Sequence, residues 1–442
     1  MVKLFMSASG SEAGLCRRRR RFLTVGTLGL LGLNLPDWLS IRSRALARDK
    51  QGVDCAVIQI ILGGGPSQLD TYDPKPDAPD EFRGEFGSIA TTVSGVRVSE
   101  MLPLQAGVMD KLALIRSLHH TSADHAAGSH WVMTGHEPVE ANPRVNDRPS
   151  TGSVVARLRG AHGAGIPAYV TIPRSPAFSQ AAYLGPGFSP FSLDGDPLAN
   201  PRLRNLDPAA EISLERLSDR RALLEKLDRI NRQRDISGAM EGMDQFTAEA
   251  YAMTTGPRAR RAFDLTLEDA RLRDQYGRTR IGQGCLLARR LVEAGVAFVT
   301  INEDGWDHHR EVFASCRKAL PPLDAAVAAL VNDLHSRGLD QRVLVLVWGE
   351  FGRTPRVNGN GGRDHWPNAF TALLAGGGLK TGQVIGASGR NGEAPSERPL
   401  RPEDIIRTLY AFLGIDPLQE FNNAAGRPLA ILSQGQAIAE LF

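Results

Sequence analysis

Cys55-Ala56-Val57-Ile58-Gln59-Ile60-Ile61-Leu62 is an almost unbroken apolar, β-branched run that ends in Gly63-Gly64-Gly65. Such a run predicts a strand buried on both faces that feeds a glycine turn. The pattern returns at Val296 to Asn302 after an amphipathic run at 281–293, at Val343 to Trp348 after a helical stretch around Leu323 to Leu334, and at Ala369 to Ala375. Strands alternating with helices predict an α/β fold with a mostly parallel central sheet and helices on both faces. In such sheets the chemistry sits on loops that leave the carboxyl ends of the strands.

Two segments stand apart from this alternation. Residues 201–280 are charged and helical in pattern, with Leu214, Leu217, Leu223, Leu224 and Leu227 marking one apolar stripe, and read as a helical insert. Residues 382–403, rich in Gly, Pro, Ser and Arg, read as a long surface loop before a last helix that starts at Pro402.

The 442-residue chain is 42% hydrophobic and 23% charged, enough apolar material for a large core and too ordinary a mix for disorder. Its net charge of +3 is unevenly placed. Residues 1–47 hold Lys3, Arg17 to Arg21, Arg42 and Arg44 against Glu12 and Asp37, so the leader carries +6 and the remainder −3. The basic balance therefore gives no reason to expect nucleic acid as a partner. The leader has a basic stretch, an uncharged apolar run from Phe22 to Leu35 and a small-residue exit at Ala45-Leu46-Ala47, the parts of an export signal too short to be a stable membrane span. Arg19-Arg20-Arg21-Phe22-Leu23 fits the twin-arginine form, which predicts cleavage after Ala47 and a periplasmic or extracellular domain over 48–442. The three remaining cysteines, Cys55, Cys285 and Cys316, form no paired framework and read as small buried hydrophobes.

Eight of the ten histidines fall in three segments at predicted strand ends: His119 to His136, Trp306-Asp307-His308-His309, and Gly362-Arg363-Asp364-His365 close after Trp348-Gly349-Glu350-Phe351-Gly352-Arg353. Imidazole and carboxylate together suit zinc or manganese better than calcium, and the surplus of donors allows one or two ions. Each segment also has a plainer reading. Asp307 and His309 can be a helix cap and a solvated turn residue, Arg353 can simply neutralise Glu350, Asp364 can orient His365 without touching an ion, and the histidines of 119–136 can be packing residues.

Gly64-Gly65-Pro66-Ser67-Gln68-Leu69-Asp70-Thr71-Tyr72-Asp73-Pro74-Lys75, Arg83-Gly84-Glu85-Phe86, Asn146-Asp147-Arg148-Pro149-Ser150, Trp306-Asp307-His308-His309, Gly349 to Pro355 and Gly362 to Pro367 together resemble the DUF1501 family of exported bacterial proteins, related to sulfatases and alkaline phosphatases. The resemblance covers nearly the whole chain. It implies an alkaline-phosphatase-like fold and, from the wider superfamily, divalent ions held by Asp70, Asp307, His309, Glu350, Asp364 and His365. It further implies hydrolysis of a phosphate or sulfate ester in a small molecule or glycan, with Arg353 steadying negative charge. The sequence departs from that superfamily where a nucleophile is expected. Counting nine residues back from Thr134-Gly135 gives His125, not Ser, Thr or Cys. His125 or His130 is then the expected base or nucleophile. The same departure leaves open a non-catalytic exported binding protein that keeps the fold and a structural metal.

Overall fold

The structure, a computed structural model, describes residues 54–163, 165–199 and 257–442. The leader, the stripe from Leu214 to Leu227 and most of the expected helical insert lie outside these residues. The described end of the insert holds two short helices, Pro257–Phe263 and Ala270–Gln275.

Ten strands position the site: β1 Ala56–Gly63, β2 Leu112–Leu118, β3 Tyr169–Ile172, β4 Phe191–Ser192, β5 Phe298–Asp304, β6 Val343–Trp348, β7 Gly352–Arg353, β8 His365–Trp366, β9 Phe370–Gly376 and β10 Gln383–Ile385. Eight of them make one sheet in the order β10-β2-β9-β6-β1-β5-β3-β4, while β7 and β8 pair as a separate antiparallel hairpin. Every pairing in the large sheet is parallel except the two made by β9, which runs against β2 and β6. Of the four strands expected from apolar runs, three are parallel and the last is this reversed one. The stretch expected to be one long loop instead contributes β10 to the sheet edge.

Alternation along β1 shows how the sheet is covered. Ile58, Ile60 and Leu62 point to one layer, packed with α3 (Arg280–Glu293) and α4 (Val312–Ser336) through Leu286, Leu291, Leu320 and Leu330. Val57 and Ile61 point to the other, packed with α1 (His125–Thr134), α2 (Thr151–Arg159) and α5 (Pro402–Leu413) through Val132, Val154, Ile406 and Leu409. A strand buried on both faces has no polar side to show, which explains the continuous apolar runs. Cys55, Cys285 and Cys316 are buried within these layers. Because β1, β2, β5 and β6 point the same way, the chain emerges from all four at one edge.

Candidate metal centre

That edge gathers the polar segments. The loop after β5 carries Asp307 and His309, the loop after β6 carries Glu350, the β7–β8 hairpin carries Arg353 and His365, and the chain leaving β2 turns into α1 at His125. Asp124 caps α1 by accepting the Ala127 N–H at 3.0 Å, which fixes His125 as the first residue of the helix.

Glycines let these loops nest. Gly64, with φ of +113°, lies so close to the next loop that a Cβ would sit 2.5 Å from the Asp307 amide nitrogen. A Cβ on Gly362 would overlap the His309 carbonyl, and one on Gly65 would enter the Phe351 ring. A side chain at Gly64 or Gly362 would press on Asp307 or His309, and one at Gly65 on Phe351.

Asp307 is the hub. Its Oδ1 lies 3.1 Å from Nε2 of His309 and 3.1 Å from Nε2 of His365, and its Oδ2 lies 3.3 Å from Nε2 of His125. The ligand atoms of His125, Asp307 and His365 all fall within 4.8 Å of one another. His309 borders the same space, its Nε2 3.0 Å from that of His365.

Each ring is held from behind. His365 Nδ1 is 2.7 Å from the Ala123 carbonyl, His309 Nδ1 is 2.7 Å from Asp364 Oδ1, and His125 Nδ1 is 2.7 Å from Glu350 Oε1. These partners only accept, so each Nδ1 carries a proton, and each ring turns its Nε2 toward Asp307, where it donates when protonated and offers a lone pair when neutral. Two lone pairs meeting at 3.0 Å repel unless one ring takes a second proton or a cation lies between them. A borderline divalent ion fits this donor set.

The charges around the hub are tuned accordingly. Desolvation raises the Asp307 carboxyl, but hydrogen bonds from Arg353 and His365 outweigh it and hold the group well below the usual carboxylate range. The His125 imidazole is raised above its ordinary value, chiefly by its hydrogen bond to Glu350 and against the effect of burial. Asp364 is lowered, first by its bond to His309.

Several expected site residues stand elsewhere. The Asp70 carboxylate is fully enclosed, accepting from Arg363 Nε at 2.8 Å and Ser67 Oγ at 2.5 Å, an ion pair in place of a metal ligand. His130 lies five residues along α1 from His125, about 140° around the helix, and pairs with Asp147 at 2.6 Å and with the His136 carbonyl. Arg353 is fully buried, donating to the carbonyls of Gly64, Gly65 and Arg363 and to Asp307 Oδ1 at 2.5 Å. It therefore orients Asp307 and has no face toward a substrate. Asp364 stands behind His309. Glu350 is buried, takes the Gly64 N–H at 2.9 Å and His125 on Oε1, and leaves Oε2 with no hydrogen-bond partner. Among the described residues no hydroxyl or thiol side chain hydrogen-bonds to His125, Asp307, His309, Glu350 or His365. The sequence reading missed Arg363, the Ala123 carbonyl and the Gly64 amide, whose partners lie far away along the chain.

A family profile described as "Protein of unknown function (DUF1501)" matches residues 54–442. No curated protein matches. Among solved structures, the chain is similar to a sulfatase from Pseudoalteromonas sp. at 13% identity and a TM-score of 0.40, covering 86% of this chain and 71% of that one. It is similar to the lipoteichoic acid synthase of Listeria monocytogenes at 10% identity and 0.37, covering 84% and 78%. It is also similar to a phosphonate monoester hydrolase from Silicibacter pomeroyi at 12% identity and 0.33, covering 87% and 76%.

Proposed function

The chain belongs to the DUF1501 family, and from the geometry of its strand-end cluster we propose that it is an exported metal-dependent hydrolase of phosphate or sulfate esters. One observation carries the reading: three imidazoles, each with Nδ1 engaged by an acceptor, present Nε2 to the single carboxylate of Asp307. Asp307, His309 and His365 would hold a divalent ion such as zinc or manganese. Such an ion would supply Lewis-acid polarisation of an ester oxygen and activation of water.

The chain's own groups do the remaining work. Arg353 fixes the Asp307 carboxylate and keeps it ionised. Asp364 and the Ala123 carbonyl set the rotation of His309 and His365, and the Glu350 carboxylate holds His125 with its Nε2 toward the same space as base or nucleophile. A small-molecule or glycan ester would enter at the half-exposed face of Asp307 and His309. Export follows from the leader, whose twin-arginine pattern belongs to the residues outside the described ones.

A specific observation supports a second reading. Among the described residues, the lack of a hydroxyl or thiol bonded to the cluster suits an exported binding protein with a structural metal. The purified protein, loaded with zinc or manganese, is assayed on aryl phosphates, phosphodiesters and aryl sulfates. Turnover that disappears with chelator supports the hydrolase, and a metal-loaded protein inert toward all three leaves the binding protein.

A further inference from the structure

The cluster divides in two around Asp307. His309 and His365 share Oδ1, with their Nε2 atoms 3.0 Å apart, whereas His125 alone faces Oδ2. His125 also differs in what stands behind it. Its Nδ1 is held by Glu350, a carboxylate only 3% exposed whose second oxygen has no partner, while the backing groups of the other two rings are a carbonyl and an exposed carboxylate. A buried carboxylate with an unpartnered oxygen is costly unless positive charge develops beside it.

We propose, building on the hydrolase reading, that His125 is the phosphoryl acceptor of the reaction and Glu350 its positioning residue, so that the substrates are phosphate esters and the enzyme works through a covalent intermediate on the imidazole. With the ring neutral, any proton on Nε2 having left to solvent, the Nε2 lone pair of His125 attacks phosphorus. The N–P bond forms as the P–O bond to the alcohol breaks, the bonding pair leaves on the alcohol oxygen, and that oxygen takes a proton from water. Water oxygen then attacks phosphorus, the N–P pair returns to Nε2, and the water proton leaves with the released phosphate or to solvent. The sum is ester plus water to alcohol plus phosphate.

Three features of the chain fit this division of labour. Substitution at Nε2 makes the ring cationic, which supplies the positive charge that Glu350 lacks. The ring cannot swing away, because it lies against Phe351 at 5.0 Å between centroids and against His365 at 4.3 Å. Two serines near these segments are held elsewhere: Ser67 Oγ donates to Asp70, and Ser122 Oγ accepts the Asp124 N–H.

The test uses the metal-loaded full chain and an aryl phosphorothioate made chiral at phosphorus by sulfur and two oxygen isotopes, hydrolysed in water carrying the third, with the plain aryl phosphate used for quenching. Two displacements give retention at phosphorus and a direct attack by water gives inversion, whatever the lifetime of the intermediate. Expected results are retention, a phosphoryl group that is alkali-stable and acid-labile on the peptide containing His125 after rapid quenching, and a His125→Asn variant that binds the same metal per chain as the parent but forms no adduct. Glu350→Gln should keep its metal and lower kcat at least 10-fold with little change in KM. Inversion overturns the proposal, as does a His125→Asn variant that loses its metal as fully as His309→Ala does, which would make His125 a ligand. Those outcomes leave the hydrolase reading intact, whereas a parent that takes no metal and turns over no ester overturns both.

Discussion

His309 and His365 meet Nε2 to Nε2 at 3.0 Å, and both nitrogens lie 3.1 Å from the same oxygen of Asp307. Since each Nδ1 is engaged by its own acceptor, this triangle turns both Nε2 atoms and one carboxylate oxygen toward a single point. The group behind His309 should then matter to metal affinity. Asp364→Asn should weaken binding ~10–100-fold with little effect on folding, as outer-shell partners of metal ligands commonly do. Competition titration with a metal chelator checks it, and unchanged affinity would remove Asp364 from the centre.

Asp70 and Arg363 should report on stability alone. Both side chains are fully enclosed, and removing one partner of such a pair leaves a buried charge uncompensated, at ~3–5 kcal/mol. Asp70→Asn should lower the unfolding free energy from denaturant titration by that order while the folded fraction keeps its full metal content. Loss of metal without loss of stability would restore Asp70 as a ligand.

Gly64→Ala should couple the two properties. The residue has positive φ, and the added methyl would press on the Asp307 amide. A non-glycine residue held in such a conformation costs ~1–3 kcal/mol, and any relief moves Asp307. Reduced thermal stability together with weaker metal binding is the expected pair of results, measured by melting and by titration.

Acid stability should carry the mark of His120. The ring is 2% exposed, with Nε2 2.6 Å from the Glu350 carbonyl and Nδ1 accepting the Ser122 N–H, so both nitrogens are satisfied only in the neutral form. Burial pushes its pKa down to about 4, outweighing the hydrogen bond to the carbonyl, while the unfolded chain keeps the ordinary 6.5. The unfolded state therefore binds more protons between these values, and stability falls as pH drops from 6.5 to about 4, by roughly 3 kcal/mol from this group. Denaturation in the presence of chelator should show that slope, and His120→Gln should flatten it.

Much of this architecture is legible in the sequence, and the reasons are local. Val343 to Trp348 and Ala56 to Leu62 announce themselves as strands because both their faces are buried, and the polar residues that follow must then emerge at a sheet edge. Asp307, His309 and Glu350 reach that edge by this rule, whereas His365 arrives on the β7–β8 hairpin. The reversal of β9 has no local signature, because an apolar run reads the same in either direction. Nor do the partners that define roles. Asp70 looks like a ligand until Arg363, 293 residues away, closes over it. His130 looks equivalent to His125 until the helical period turns the two to different faces. Arg353 is recognisably a partner for a carboxylate, but which carboxylate, and that the guanidinium is walled in, depends on loops brought together by glycines.

Metal content per chain, read by elemental mass spectrometry on the purified protein and on a His309→Ala, His365→Ala double variant, tests the central claim most directly. The account predicts one or two zinc or manganese ions in the parent and their loss in a variant that remains folded. A folded parent that stays metal-free after incubation with each ion would contradict it.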